Sequence, residues 1–146
     1  MRRTVLISVI SDVLLLGILA FAAWQDIKHR SVPLYLMIAG AVTGSALSVA
    51  GGSFPEFLLG LIPGAVCWAC AFLSKEAIGF GDAGMITVTG LFLGLSGNAV
   101  LVTGALLIAC LAAIICMVIK KKKRKDELPF IPFMLCAYII MLAVDL

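Results

Sequence analysis

The stretch "GFGDAGM", Gly79 to Met85, decides which fold the chain can adopt. Its spacing is G-x-G-x-x-G, that of a dinucleotide-binding turn. Such a turn needs a strand before it, a helix after it in a βαβ unit, and a distant acid for the ribose. Here a long apolar run, Phe57–Leu73, precedes the glycines instead. The dinucleotide reading fails on that context. What remains is one carboxylate, Asp82, directly after two glycines in a very apolar chain. Gly79 and Gly81 let backbone and a bound strand come close to it.

Working outward, 63% of the 146 residues are hydrophobic and only 13% are charged. Mean hydropathy is +1.19. A soluble domain of this length cannot cover so much apolar surface, so the class is integral membrane protein. The net charge of +3 does not point to nucleic acid. The cations sit as the block Lys120–Lys125 and as small groups between apolar runs, which is how topology signals look. The expected surroundings are a lipid bilayer, with no nucleic-acid partner. The sequence carries no signal of oligomeric state.

Six apolar segments approach the length of a membrane span. They run Val5–Ala23, Pro33–Ala50, Phe57–Leu73, Ala83–Leu95, Ala99–Ile119 and Phe130–Val144. The fold class is therefore all-α, a single polytopic domain over residues 1–146, with six transmembrane helices in a bundle. The start imitates a signal peptide, with Arg2, Arg3 and the A-x-A arrangement Ala20–Ala22. Asp12 interrupts its apolar stretch and more spans follow, so it is expected to remain as a helix. Lys28, Arg30, Lys75 and Lys120–Lys125 fall on one side, and Arg2 and Arg3 on the other. Basic loops stay in the cytoplasm, which puts both termini outside. Three segments carry G-x-x-x-G, at Gly40/Gly44, Gly60/Gly64 and Gly90/Gly94, a spacing that lets helix backbones approach. Pro63 is expected to kink the third span.

Asp26 follows span one and Asp82 precedes span four, each on a connection. Two crossings separate them, so both face the same side, and the basic loops make that side cytoplasmic. Paired carboxylates cannot both ionise cheaply; one keeps a proton, and the pair supplies an acid and a base. Such a pair can hydrolyse an amide without metal. No side chains have metal-ligand spacing, and no cofactor is expected. A structural reading stays open beside this one. Asp26 could close a helix end near Lys28 and Arg30, and Asp82 could be an N-cap. Two other classes are weighed. Cys67 and Cys70 form C-x-x-C, but they lie inside an apolar run around Trp68, unlike a reactive thiol pair. Asp12 is a lone mid-span acid, weak support for transport.

At these residues the chain resembles the type IV prepilin peptidases, membrane aspartic peptidases of the GxGD type. The resemblance rests on D-x-x-x-x-x-V-P, Asp26 to Pro33, followed by G-x-G-D, Gly79 to Asp82. It continues in "GMITVTGLFLG", Gly84 to Gly94, and in "LPFIPF", Leu128 to Phe133. It implies that Asp26 and Asp82 are catalytic, with Pro33, Gly79 and Gly81 shaping the substrate loops. It also implies a prepilin-like protein substrate whose short basic leader is removed ahead of its apolar helix. Leu34, Gly84 and Ile131 depart from the family pattern, where Asn, Lys and Gly are common. The short connection after span one leaves no room for the extra cytoplasmic domain of longer members. A peptidase-only form is implied, like those serving Flp (Tad) pili or archaeal flagellin-like substrates.

Overall fold

The computed structural model describes residues 2–52, 54–73, 79–120 and 129–144. Lys75, Lys121–Lys125 and Asp145 lie outside the described residues. All the described secondary structure is helical: α1 (Arg2–His29), α2 (Leu34–Ala50), α3 (Phe54–Leu73), α4 (Phe80–Lys120) and α5 (Ile131–Val144). Apolar runs with few breakers make helices the one way to satisfy the backbone internally. The faces left outward are apolar too: Leu34, Tyr35, Phe72, Leu73 and Val118 are all exposed. Two stretches, Leu6–His29 and Phe80–Val118, are long and apolar enough to cross a membrane.

Five helices stand where six spans were expected, and the difference lies in α4. At Gly94 φ is 69° and ψ is −172°, a conformation that only glycine adopts without strain. Asn98 would stand about 18 Å from Ile86 along a straight helix. Instead its Nδ2 donates to the Ile86 carbonyl at 3.0 Å. The chain therefore reverses at Gly94, and the two halves of α4 lie side by side. The break comes earlier than the turn expected between Leu95 and Ala99. Ser96, Gly97 and Asn98 read as a loop, yet they are helical.

The first half of α4 lies between α2 and α3. Against α2 it runs parallel: Gly40 faces Val88, Gly44 faces Phe92, and Ser48 Oγ donates to the Leu91 carbonyl at 2.6 Å. Against α3 it runs antiparallel, with Gly60 on Gly90 and Gly64 on Thr87. A Cβ at either Gly60 or Gly90 would collide with the other's carbonyl oxygen. Pro63 lies inside α3, which continues through it. Having no N–H, it leaves the local ladder short of a donor. Asn98 Nδ2 reaches across to the Gly60 carbonyl at 3.4 Å, and Asn98 Oδ1 accepts from Thr89 Oγ1 at 2.8 Å. Both side chains are fully buried. On the far side α5 packs on α1 and on the second half of α4, and Tyr138 Oη donates to Asp12 at 3.1 Å. The mid-span acid thus has a partner inside the bundle. Leu15, Leu19, Met85, Leu101, Met134 and Tyr138 belong to the core these helices share.

The Gly60–Gly90 crossing makes a stability prediction. Gly90→Ala should cost about 1–3 kcal/mol, since two backbones must part to admit a methyl. Gly17→Ala, at a site with nothing within 4 Å, should change stability by less than about 0.5 kcal/mol. Denaturant unfolding in mixed micelles measures both, and equal effects would refute the crossing.

Candidate active site

Asp26 and Asp82 are helical residues, not loop residues. Helix α1 runs past the expected end of span one to His29, so Asp26 lies in its final turns. The helix stops because Arg30 takes φ 51°, with its N–H on the Asp26 carbonyl at 2.8 Å. This is a left-handed C-cap formed without glycine. Pro33 then serves as N-cap of α2, its φ fixed at −69°. The connection is only Arg30–Pro33, shorter than the sequence suggested. Helix α4 begins at Phe80, inside the glycine motif, and Asp82 lies in its first turn. The Gly79 carbonyl accepts from the N–H groups of Asp82 and Ala83 at 3.1 and 3.2 Å. Gly79, not Asp82, therefore stands at the cap.

The glycines act through space and not through unusual backbone angles. A Cβ on Gly79 would meet Asp82 Oδ2 at 3.3 Å, and one on Gly81 would meet Val32 at 3.3 Å. The end of the Met37 side chain fills the place where a Gly84 side chain would go. The turn before α2 and the start of α4 are thus seated on one another, which fixes Asp82 relative to Asp26.

Asp26 is 7% exposed. Its Oδ2 accepts the backbone N–H of Ile131, the first residue of α5, at 3.3 Å. Asp82 is half-buried and lies within electrostatic reach of Asp26. Cys67 of α3 is within the same reach of Asp82, and Trp68 packs on Phe80 with ring centroids 5.6 Å apart. Lys28 is turned away, its Nζ 5.2 Å from the Trp24 ring centroid, and His29 is exposed. Among the described residues neither acid has an ion-pair partner; Asp26 does lie at a helix end near Lys28 and Arg30, without pairing to either. Also among the described residues, no three His, Cys, Asp or Glu side chains come together as a metal-binding group. A cavity of about 300 Å³ lined by Asp12, Glu56 and Gly94 opens at the other end of α1, away from both acids.

The Ile131 amide and Cys67 were not singled out for this site from sequence. A backbone donor has no side-chain signature, and Cys67 was read with Cys70 as a possible thiol pair. The one available hint of Ile131 is its place in "LPFIPF".

A family model, type IV leader peptidase family, matches residues 13–119, well over half the chain and with both acids inside. The chain belongs to the type IV leader peptidase family. It is accordingly a prepilin peptidase, a hydrolase. Its apolar helices and its family together place it in a membrane. No curated relative and no solved structure matches it. The matched region of the peptidase ends before α5, the element that supplies the Ile131 amide.

The position of Cys67 gives a proximity test. In a variant keeping Cys67 as its one cysteine, alkylation by a bulky maleimide should slow prepilin processing roughly tenfold or more, since small displacements of reacting groups are costly. The cysteine-free variant should stay active and unaffected. Loss of activity without any cysteine would instead mark the thiols as part of the chemistry.

Proposed function

We propose that the peptidase removes the short basic leader from type IV prepilin-like substrates at the cytoplasmic face of the cell membrane, using Asp26 and Asp82 as a water-activating dyad. The observation that carries this reading is that the two acids stand within electrostatic reach of each other at one end of the bundle, neither with an ion-pair partner among the described residues. One carboxylate takes a proton from water as it attacks the scissile carbonyl carbon, while the other carboxyl donates its proton to the carbonyl oxygen. The tetrahedral intermediate then collapses, the C–N bond breaks, and the leaving nitrogen takes up a proton. Membrane burial of the substrate's apolar helix would hold the scissile bond at the interface, where the acids lie. Residues 1–146 act as one domain with six spans, the two halves of α4 being the fourth and fifth. The nine cations of the cytoplasmic loops set both termini outside. The absence of room for a second domain before α2 favours a Flp (Tad)-type or related substrate.

Asp26→Asn and Asp82→Asn should each lower processing about 10²- to 10⁴-fold, the share general acid–base groups contribute. Unfolding midpoints should remain near wild type, because Asn keeps the size and an acceptor oxygen. Co-expression with prepilins scored by gel shift reads the effect, and near-normal processing by either variant would sink the dyad. Processing should also persist in excess EDTA; loss on chelation with recovery on added zinc would favour a metallopeptidase.

A further inference from the structure

Two identical side chains in a dyad must take different roles, and here their surroundings differ. Helix first-turn amides lack a carbonyl partner within the helix. In α5 most of that shortage is already met. Phe133 and Met134 turn their N–H groups to the Phe130 carbonyl at 3.0 and 3.2 Å, and Pro132 has no N–H to offer. Ile131 is left as the first-turn donor in need of an acceptor, and it takes Asp26 Oδ2. The Ile131 side chain is fully buried among the core residues, so this donor cannot swing away. No described residue donates a hydrogen bond to the Asp82 carboxyl. A hydrogen bond to a carboxylate stabilises its charged form, and one drawn from a fixed amide costs no reorganisation.

We infer that Asp26 is the base of the pair and Asp82 the acid, with the Ile131 amide as the positioning group that divides the roles. The inference rests on the dyad reading above. Water gives one proton to Asp26 and its hydroxyl to the carbonyl carbon, and Asp82 gives its proton to the carbonyl oxygen. On collapse Asp26 passes its proton to the leaving nitrogen, and one hydroxyl of the intermediate returns a proton to Asp82. Both side chains end as they began. The other groups facing the pair do not reverse this division. From α3 there is Cys67, which lies toward Asp82. On α1 Lys28 is turned away over Trp24 and His29 is exposed; Arg30 of the following connection and Tyr35 of α2 are exposed too. The first turn of α4 favours charge on Asp82, and the last turn of α1 disfavours it on Asp26. A direct hydrogen bond to the charged group outweighs such end-of-helix effects.

The test uses the wild-type peptidase in micelles at neutral pH with two carboxyl reagents, mapped by peptide mass spectrometry. An epoxide is opened by an ionised carboxylate, whereas a diazo compound takes the proton of a carboxylic acid before its carbon is esterified with loss of N2. The epoxide should esterify Asp26, and the diazo reagent Asp82. The reverse pattern overturns the assignment. A second arm removes the donor alone. Ile131→Pro deletes the N–H at a first helical position where proline is tolerated, and Ile131→Val keeps it. Losing a donor to the charged form makes the base harder to ionise, so the acid limb of the pH–rate profile should move up by roughly one pH unit in the proline variant only. A folded proline variant with an unmoved limb also overturns the assignment. Failure of the dyad itself looks different: one of the Asn variants would process prepilin normally, whatever the labelling pattern.

Discussion

Gly60 and Gly90 meet with no side chain between their backbones, and the delivery of Asp82 to the site follows from that contact. Within a bilayer, helices gain little from excluding water, so close van der Waals contact must hold them together. Two glycines facing each other give the closest contact available. From this crossing α4 runs back toward Asp82, about 12 Å away along the helix axis. Gly64 on Thr87 and Trp68 on Phe80 continue the contact to the site. Asp82 is therefore delivered by a rigid pair of helices and not by a loop.

The crossing also depends on what closes the far end. A reversal at Gly94 leaves carbonyls near the break without their usual partners. Ser48 takes the Leu91 carbonyl, and Asn98 joins the elements with one side chain: its amide donates to Ile86 and Gly60, and its oxygen accepts from Thr89. In an apolar interior an unpaired amide would be costly, so this network is held to one arrangement. It ties α3 and both halves of α4 to one another.

Much of this was legible in the sequence, for a physical reason. Apolar runs in a membrane chain can only be helices, so the run from Val5 to Ala23 and the run from Pro33 to Ala50 gave α1 and α2 directly. The G-x-x-x-G spacing pointed at the faces that touch. Asp26 and Asp82 stood out because charge is rare in such a chain. Less legible were features set by tertiary contact. Ser96, Gly97 and Asn98 have turn chemistry, yet Asn98 is a buried helical clamp because the reversal fits better at Gly94. Helix α1 overran its expected end because Arg30 adopts a left-handed cap that sequence assigns to glycine.

The placement of α5 shows why a pair of acids is not by itself a finished site. Asp26 is almost fully buried at the end of α1, with no cation beside it among the described residues. Burial without a donor disfavours the charged form of a carboxylate, and a hydrogen bond to it works the other way. The one described donor that reaches it comes from the last helix, after the longest basic stretch of the chain. Pro132 matters here by what it lacks, since its missing N–H leaves Ile131 as the donor that faces the acid. The last helix is held in turn by Tyr138 on Asp12 and by Ala137 against Gly104. A change in how α5 seats on α1 would therefore reach the chemistry through a single backbone amide, without altering either acid.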